Sequence, residues 1–227
     1  MAAGLSSSLN FYFNTFYWEF SADQIGNLTL GVYLSAVMAL FGVPVLARRF
    51  GKRTVTRTMM VLAVTVGLTP VILRYFGLMP PNHSAQLFGV IFCTSVIGTA
   101  LGIVSATMGG SMIADVVEAS QLKTGRRSEG LFFAASAFVQ KATSGFGIFA
   151  ASNIVALIAL KPGTDPAHVP AGVMQHLALI YAPTLIGLYA IAFTLLSGYR
   201  ITRATHHETL QQLAAEAEMA GEIEPAA

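Results

Sequence analysis

Six apolar segments constrain the fold of this 227-residue sequence more than any other feature. They lie at about residues 2–20, 28–47, 57–76, 86–114, 130–160 and 174–199. A helix needs about 20 predominantly apolar residues to cross a hydrocarbon core about 30 Å thick. Charged residues make up only 11% of the chain, whereas soluble domains carry about 25%. The sequence therefore predicts an all-α membrane protein with six transmembrane helices in one bundle, residues 1–203.

The ends of these segments carry further signals. No segment alternates polar and apolar residues with a period of two, so the pattern favours helices over barrel strands. Tyr17 and Trp18 close the first segment and are typical of an aromatic belt at the membrane interface. Residues 204–227 are polar and acidic, and we expect a cytoplasmic tail there.

The distribution of basic residues predicts the orientation. Ten lie in the stretches that follow the second, fourth and sixth segments: Arg48, Arg49, Lys52, Arg53, Arg57, Lys123, Arg126, Arg127, Arg200 and Arg203. The opposite side has two, Arg74 and Lys161. Because Lys and Arg are in excess in cytoplasmic loops, we expect both termini in the cytoplasm and the protein in the bacterial inner membrane. The lipid bilayer is then one partner.

One charge lies deep inside an apolar segment. Counting from Gly130 at 1.5 Å per residue puts Lys141 about 16 Å along its helix, near the middle of the bilayer. A charge there costs at least about 2.5–3.5 kcal/mol and normally faces a protein interior or a wet cavity. Lys141 is therefore a candidate substrate-binding residue, with Asn14 and Tyr12 of the first segment. The alternative is a lysine that snorkels to the interface.

A second set of charges flanks the loop between the fourth and fifth segments. Asp115, Glu118 and Glu129 lie close in sequence to Arg126 and Arg127. We interpret these five residues as an ion-paired gate at the cytoplasmic face. The alternative is a solvated loop whose arginines only set the orientation.

The sequence has no pattern typical of an enzyme, a metal site or a nucleic-acid-binding protein. It lacks the GxSxG, HExxH and Walker-type motifs. Its single cysteine, Cys93, lies in an apolar segment. His206 and His207 are adjacent in the tail, but no residue near them in the sequence completes a metal site. We expect no catalytic residue and no metal ligand.

Residues 112–141, MIADVVEASQLKTGRRSEGLFFAASAFVQK, resemble the signature of the glycoside–pentoside–hexuronide:cation symporters, the melibiose-permease-like branch of the major facilitator superfamily. The resemblance implies the C-terminal six-helix half of a twelve-helix transporter for a sugar or glycoside. It implies Na⁺ or H⁺ as the coupling ion and no other cofactor. The ion site and most sugar contacts are then expected in an N-terminal six-helix half, which becomes the expected partner.

Two departures from this family leave alternatives open. Ala106 stands where melibiose permease has a tryptophan near the sugar, which allows a larger, lipid-like or other organic solute. The loop motif Arg49-Phe50-Gly51-Lys52-Arg53 is preceded by Arg48, where the superfamily usually has an acidic residue. The remaining alternative is a truncated membrane protein that binds a partner without transporting a solute.

Overall fold

The computed structural model describes residues 1–126, 128–158, 160, 169–199, 205, 208–213 and 215. These residues contain no strand and form six long helical elements. The helices are α1 (Ala2–Tyr12), α2 (Ala22–Arg49), α3 (Lys52–Tyr75), α4 (Ala85–Thr124), α5 (Glu129–Leu157) and α6 (Ala171–Ser197). A π-helical turn, Phe13–Tyr17, continues α1. The all-α fold class is confirmed.

Four of these helices, α2, α3, α4 and α6, are long and apolar enough to cross a membrane by length and composition. The first predicted span is divided between the 11 residues of α1 and the π-helical turn. In α5, which has 29 residues, Gln140 and Lys141 interrupt the apolar sequence. The first and fifth crossings therefore stay predictions from the sequence.

Local signals in the sequence account for several helix ends. Ser21 and Gln24 form a capping box at the start of α2, in which each side chain bonds the backbone of the other. Ser84 caps α4 by accepting a hydrogen bond from the Leu87 backbone, 3.1 Å away. Such caps satisfy backbone N–H groups that have no partner inside the helix. At the other end of α4, Gly125 has a φ of 65°, a conformation that glycine adopts without steric cost.

The largest change from the predicted boundaries is at the end of α4. The fourth apolar segment ends at residue 114, but α4 continues to Thr124. The loop between the fourth and fifth segments therefore begins only at Gly125. No glycine or proline lies between Gly110 and Gly125, so the polar residues there extend the helix. The turn-rich stretch at 161–168 and most of the tail lie outside the described residues.

Two helix crossings, α2 with α4 and α1 with α5, bring backbones close together. Helix α4 packs against α2 and α3, while α1 packs against α5, and α6 packs against α3 and α1. At the first crossing, Ser35 of α2 donates a hydrogen bond to the Val96 carbonyl of α4, 2.9 Å away. At the second crossing, Gly147 of α5 lies against the backbone of α1 at Met1 and Leu5. In both crossings small residues allow the close approach of the backbones.

Two hydrophobic clusters fill the bundle at different levels. The larger joins α1, α3, α4, α5 and α6 around residues such as Leu9, Leu87 and Leu177. The smaller joins α2, α3 and α4 around Ala39, Val55 and Val104. Because α1 packs mainly against α5, a gap is left between α1 and the α2–α3–α4 group.

Candidate functional site

A cavity of about 450 Å³ occupies the gap between α1 and the α2–α3–α4 group, with α6 at one side. Small residues on the facing helices, Gly67 of α3 and Gly98 and Gly102 of α4, leave this space. The polar lining residues are Ser6, Asn10, Asn14, Thr29, Thr94, Ser95, Thr99, Tyr181 and Tyr189. The volume lies within the range of about 300–1,000 Å³ that is common for small-molecule sites.

The asparagines of α1 form the most polar wall of the cavity. Asn14 donates a hydrogen bond to the Asn10 side-chain carbonyl, 2.8 Å away. Within the described residues, no other hydrogen bond uses the side-chain carbonyl oxygen of Asn14 or the side-chain N–H groups of Asn10. Asn14 lies in the π-helical turn, an irregularity that often marks functional positions. The pair can thus both donate to and accept from a polar solute.

Hydroxyl groups on the other helices complete the polar lining. Ser6 of α1 and Tyr181 of α6 are joined by a hydrogen bond of 3.1 Å. Thr94 donates to the Val90 carbonyl of its own helix, which leaves its oxygen as an acceptor. The side-chain hydroxyls of Ser95 and Thr99 make no hydrogen bond with other described residues.

Trp18 belongs both to the cavity wall and to a cluster at the end of α3. Its side chain and that of Tyr17 are buried, at 3% and 6% exposed, so they do not form the predicted interfacial belt. The Arg74 guanidinium lies 5.2 Å from each ring centroid, a cation–π arrangement. Arg74 also donates to the Asn82 side chain, 2.6 Å away. Packing against this cation draws both rings into the bundle.

The same end of the bundle holds a side-chain contact between two loops. His83 Nε2 lies 3.0 Å from Glu19 Oε2. Both residues have positive φ, 64° and 53°, which is uncommon for residues with a side chain. The pair joins the α1–α2 loop, next to Trp18, to the α3–α4 loop.

A charged cluster lies at the opposite end, where α3 begins and α4 and α6 end. Lys52 Nζ lies 2.5 Å from Asp115 Oδ1, and the Tyr199 hydroxyl donates to Asp115 Oδ2 at 2.8 Å. The Asp115 side chain is 6% exposed, so its charge needs such partners. Tyr199 lies beyond the last turn of α6, where burial, together with the hydrogen bond and the charge of Asp115, raises the pKa of its hydroxyl.

Two arginines of α3 connect this cluster to α6. Arg53 donates to the Ser197 backbone carbonyl, 2.7 Å away, and the Arg57 guanidinium lies 3.9 Å from the centroid of the Phe193 ring. Cations at the start of α3 oppose the dipole of that helix, whereas a cation at the C-terminal carbonyls of α6 is favourable. The cluster therefore ties the start of α3 to the ends of α4 and α6.

The predicted substrate-binding residues occupy three different environments. Asn14 lines the cavity. Tyr12 does not: its ring stacks on Phe16, with centroids 6.1 Å apart. Lys141 is exposed on α5, about one turn from Ser144, where α5 meets Gly4 of α1. Within the described part of the chain, Lys141 forms no ion pair.

The ion-paired gate stays a prediction, and the structure describes four of its five residues. Asp115 contacts Lys52 and Tyr199, a pairing that the sequence analysis did not propose. Glu118 lies one turn further along α4, and Glu129 is exposed in the first turn of α5. The side chain of Arg126 is exposed, and Arg127 lies outside the described residues.

Four residues of the cluster were not predicted from the sequence as site residues: Lys52, Arg53, Arg57 and Tyr199. One signal could have identified Lys52. Asp115 is a carboxylate that ends an apolar run, and it needs a cation from a helix end on the same side of the bundle. Lys52 begins the third helix on that side.

Comparisons with known proteins agree with a transport protein. A family model described as MFS/sugar transport protein matches residues 1–203, which include the cavity and the charged cluster. The sequence is 30% identical over 230 residues to an uncharacterized symporter of Synechocystis sp.. That alignment covers 95% of this chain but 38% of the relative, so the chain spans well under half of the length of the curated protein it matches.

Proposed function

Because this chain belongs to the MFS/sugar transport protein family, we propose that it supplies one half of the path of a cation-coupled symporter. The solute is a sugar or glycoside, and the coupling ion is Na⁺ or H⁺. Within the family, the stretch from Met112 to Lys141 favours the melibiose-permease-like branch. The observation that carries the proposal is the family match over all six helices.

The proposed transporter has a second six-helix half, on the same chain or on another. Transporters of this type bind their solute near the bilayer midplane, and one half rocks against the other to alternate access. The exposed side of α5, with Lys141 and several large apolar residues, offers a surface for that second half. We expect the acidic residues of the ion site there.

Lys141 is proposed to act across the interface between the two halves. It lies deep in α5, and its counter-charge is expected from carboxylates of the second half. In that setting the ammonium group stays charged and can hold those carboxylates in place or donate hydrogen bonds to sugar hydroxyls.

The test is Lys141→Ala in cells that carry the complete transporter, with uptake of radiolabelled sugars as the measurement. We expect the loss of concentrative uptake with membrane insertion unchanged. Ser152→Ala is a matched control, because Ser152 is exposed on the same helix and bonds only its own backbone at Ile148. Wild-type accumulation by the lysine variant would contradict the proposal. Uptake of lysophospholipids instead of sugars would favour the lipid-like alternative, and no uptake at all would favour a non-transporting partner protein.

The charged cluster is proposed as part of a cytoplasmic gate. Asp115, Lys52 and Tyr199 join α3, α4 and α6 at the end where most basic residues lie, and Glu118, Glu129, Arg126 and Arg127 extend the set. Several such contacts can bias a two-state equilibrium even if each is weak. A gate of this kind would be closed while the opposite end is open.

The orientation is proposed from the positive-inside rule, with both termini in the cytoplasm of a bacterial cell. The test uses single cysteines introduced at Thr124 and Thr164 in a Cys93→Ser background. We expect labelling of residue 164 from outside the cell, and of residue 124 only after permeabilisation. The reverse pattern would refute this orientation.

A further inference from the structure

We propose that the cavity between α1 and the α2–α3–α4 group binds an uncharged sugar, with Asn10 and Asn14 as its recognition residues. The inference rests on the proposed function, because it names the class of solute and the place where this chain holds it. It distinguishes neutral sugars and glycosides from sugar acids, which the family resemblance leaves open.

The lining offers hydrogen bonds of both kinds. Sugar hydroxyls both donate and accept, so a site for them needs donors and acceptors side by side. The Asn10 amide supplies donors, the Asn14 carbonyl supplies an acceptor, and the hydroxyls of Ser95 and Thr99 face them from α4. Because these groups make no competing hydrogen bonds within the described residues, a solute can satisfy them without breaking existing contacts.

The cavity also offers an aromatic surface. Tyr189 is half-buried and lines it beside the polar groups, and a tyrosine ring presents an apolar face together with one polar O–H. Trp18 also lines the cavity, but at 3% exposed it contributes little surface. The apolar face of a sugar ring can lie against such a surface while its hydroxyls reach the asparagines. This combination of a few placed polar groups and aromatic walls is typical of small-molecule sites.

Charge decides between the classes of sugar. None of the described residues that line the cavity is charged. A carboxylate buried there would lose its hydration without gaining a cation, which is strongly unfavourable. Arg74 is not among the lining residues; it packs on the rings of Tyr17 and Trp18 and donates to Asn82.

The chain provides its own probe for this site, because Trp18 is its only tryptophan. The purified chain in detergent is titrated with glucose, maltose or glucuronate, and Trp18 fluorescence is measured. Glucuronate differs from glucose by oxidation at one carbon. The lining residues named above all belong to this chain, so the purified chain can be tested by itself. We expect saturable changes with the neutral sugars, and an apparent Kd for glucuronate at least about tenfold weaker, equivalent to about 1.4 kcal/mol.

Variants locate the site. Asn14→Leu keeps the approximate size of the side chain and removes its hydrogen bonds, so the Kd for neutral sugars should rise about tenfold. Thr99→Val removes a hydroxyl and keeps the shape of the side chain; it tests the same cavity from α4 if the asparagine variant misfolds. Asn153→Leu is the matched control, because Asn153 is exposed on α5 and bonds only its own backbone at Phe149.

The outcomes separate this inference from the proposed function. Sugar uptake by the complete transporter without any response of Trp18, or tighter binding of glucuronate than of glucose, would overturn the inference and leave the proposed function intact. Saturable binding of neutral sugars by a protein that transports none of them would support the site and contradict the proposed function. Equal affinities for the Asn14, Thr99 and Asn153 variants would also overturn the inference.

Discussion

Gly147→Ala tests the crossing that holds α5, and with it Lys141, against the helix that carries Asn14. A Cβ built on Gly147 meets the Met1 carbonyl oxygen and lies 2.7 Å from the Leu5 backbone nitrogen. Both are main-chain atoms, so neither can move aside as the end of a side chain would. Adding a methyl group to a well-packed site typically costs about 1–3 kcal/mol. We expect α1 and α5 to separate by the amount needed to accommodate it.

The assay is thermal unfolding of the purified protein in detergent, followed by Trp18 fluorescence. In a domain of about this size, 1 kcal/mol shifts the Tm by about 2–4 °C, so we expect a decrease of roughly 2–12 °C. Gly145→Ala is the matched control, since a Cβ there meets nothing within 4 Å. Alanine is favoured over glycine in a helix by roughly 0.5–1 kcal/mol, so the control should unfold at the same temperature or a higher one. If both variants unfolded at the same temperature, the close crossing would be refuted.

Further predictions concern the two ends of the bundle. Tyr199→Phe removes the hydroxyl that donates to Asp115, so we expect a lower Tm and faster proteolysis of the segment after α6. An unchanged Tm and proteolysis rate would show that this hydrogen bond does not stabilise the protein. The pKa of the Tyr199 hydroxyl is raised in the folded protein, so the folded state binds the hydroxyl proton more tightly than the unfolded state does. The resulting stabilisation of the fold is present below about pH 10 and is lost as the pH rises above it. The wild type should therefore lose more stability than Tyr199→Phe between about pH 8 and about pH 11, and parallel losses would contradict this assignment. Arg74→Gln removes the cation from the rings of Tyr17 and Trp18, so the Trp18 emission should shift to the red as water reaches the indole; an unchanged spectrum would argue against the cation–π cluster.

The sequence was sufficient for the class of fold and for part of the site. The length and apolar character of its segments predict membrane helices, because a backbone in lipid must satisfy its hydrogen bonds within each segment. Small residues leave space between helices, and Gly98 and Gly102 of the fourth segment line the cavity. Asn10 and Asn14 are four residues apart, so their contact also follows from local helix geometry.

Contacts between distant helices were decided only by the tertiary structure. Lys52 and Asp115 are 63 residues apart, and their pairing depends on how far α3 and α4 are rotated and shifted against each other. Local sequence could equally well pair Asp115 with Arg126 or Arg127, because a carboxylate accepts any cation within reach. The rotation of the helices determines which cation that is.

Trp18 and Lys141 show that the sequence alone does not determine the surroundings of a side chain. An aromatic residue at a helix end is equally compatible with the membrane interface and with the protein interior, and Arg74 from another helix brings Trp18 inside. Lys141 was predicted to face a protein interior or a wet cavity, and this stays a prediction; within this bundle it lies on the exposed side of α5. The sequence determines how deep each side chain lies along its helix, because the rise per residue is fixed. Which neighbour it meets depends on helix rotation, and rotation is set by the packing of all the helices together.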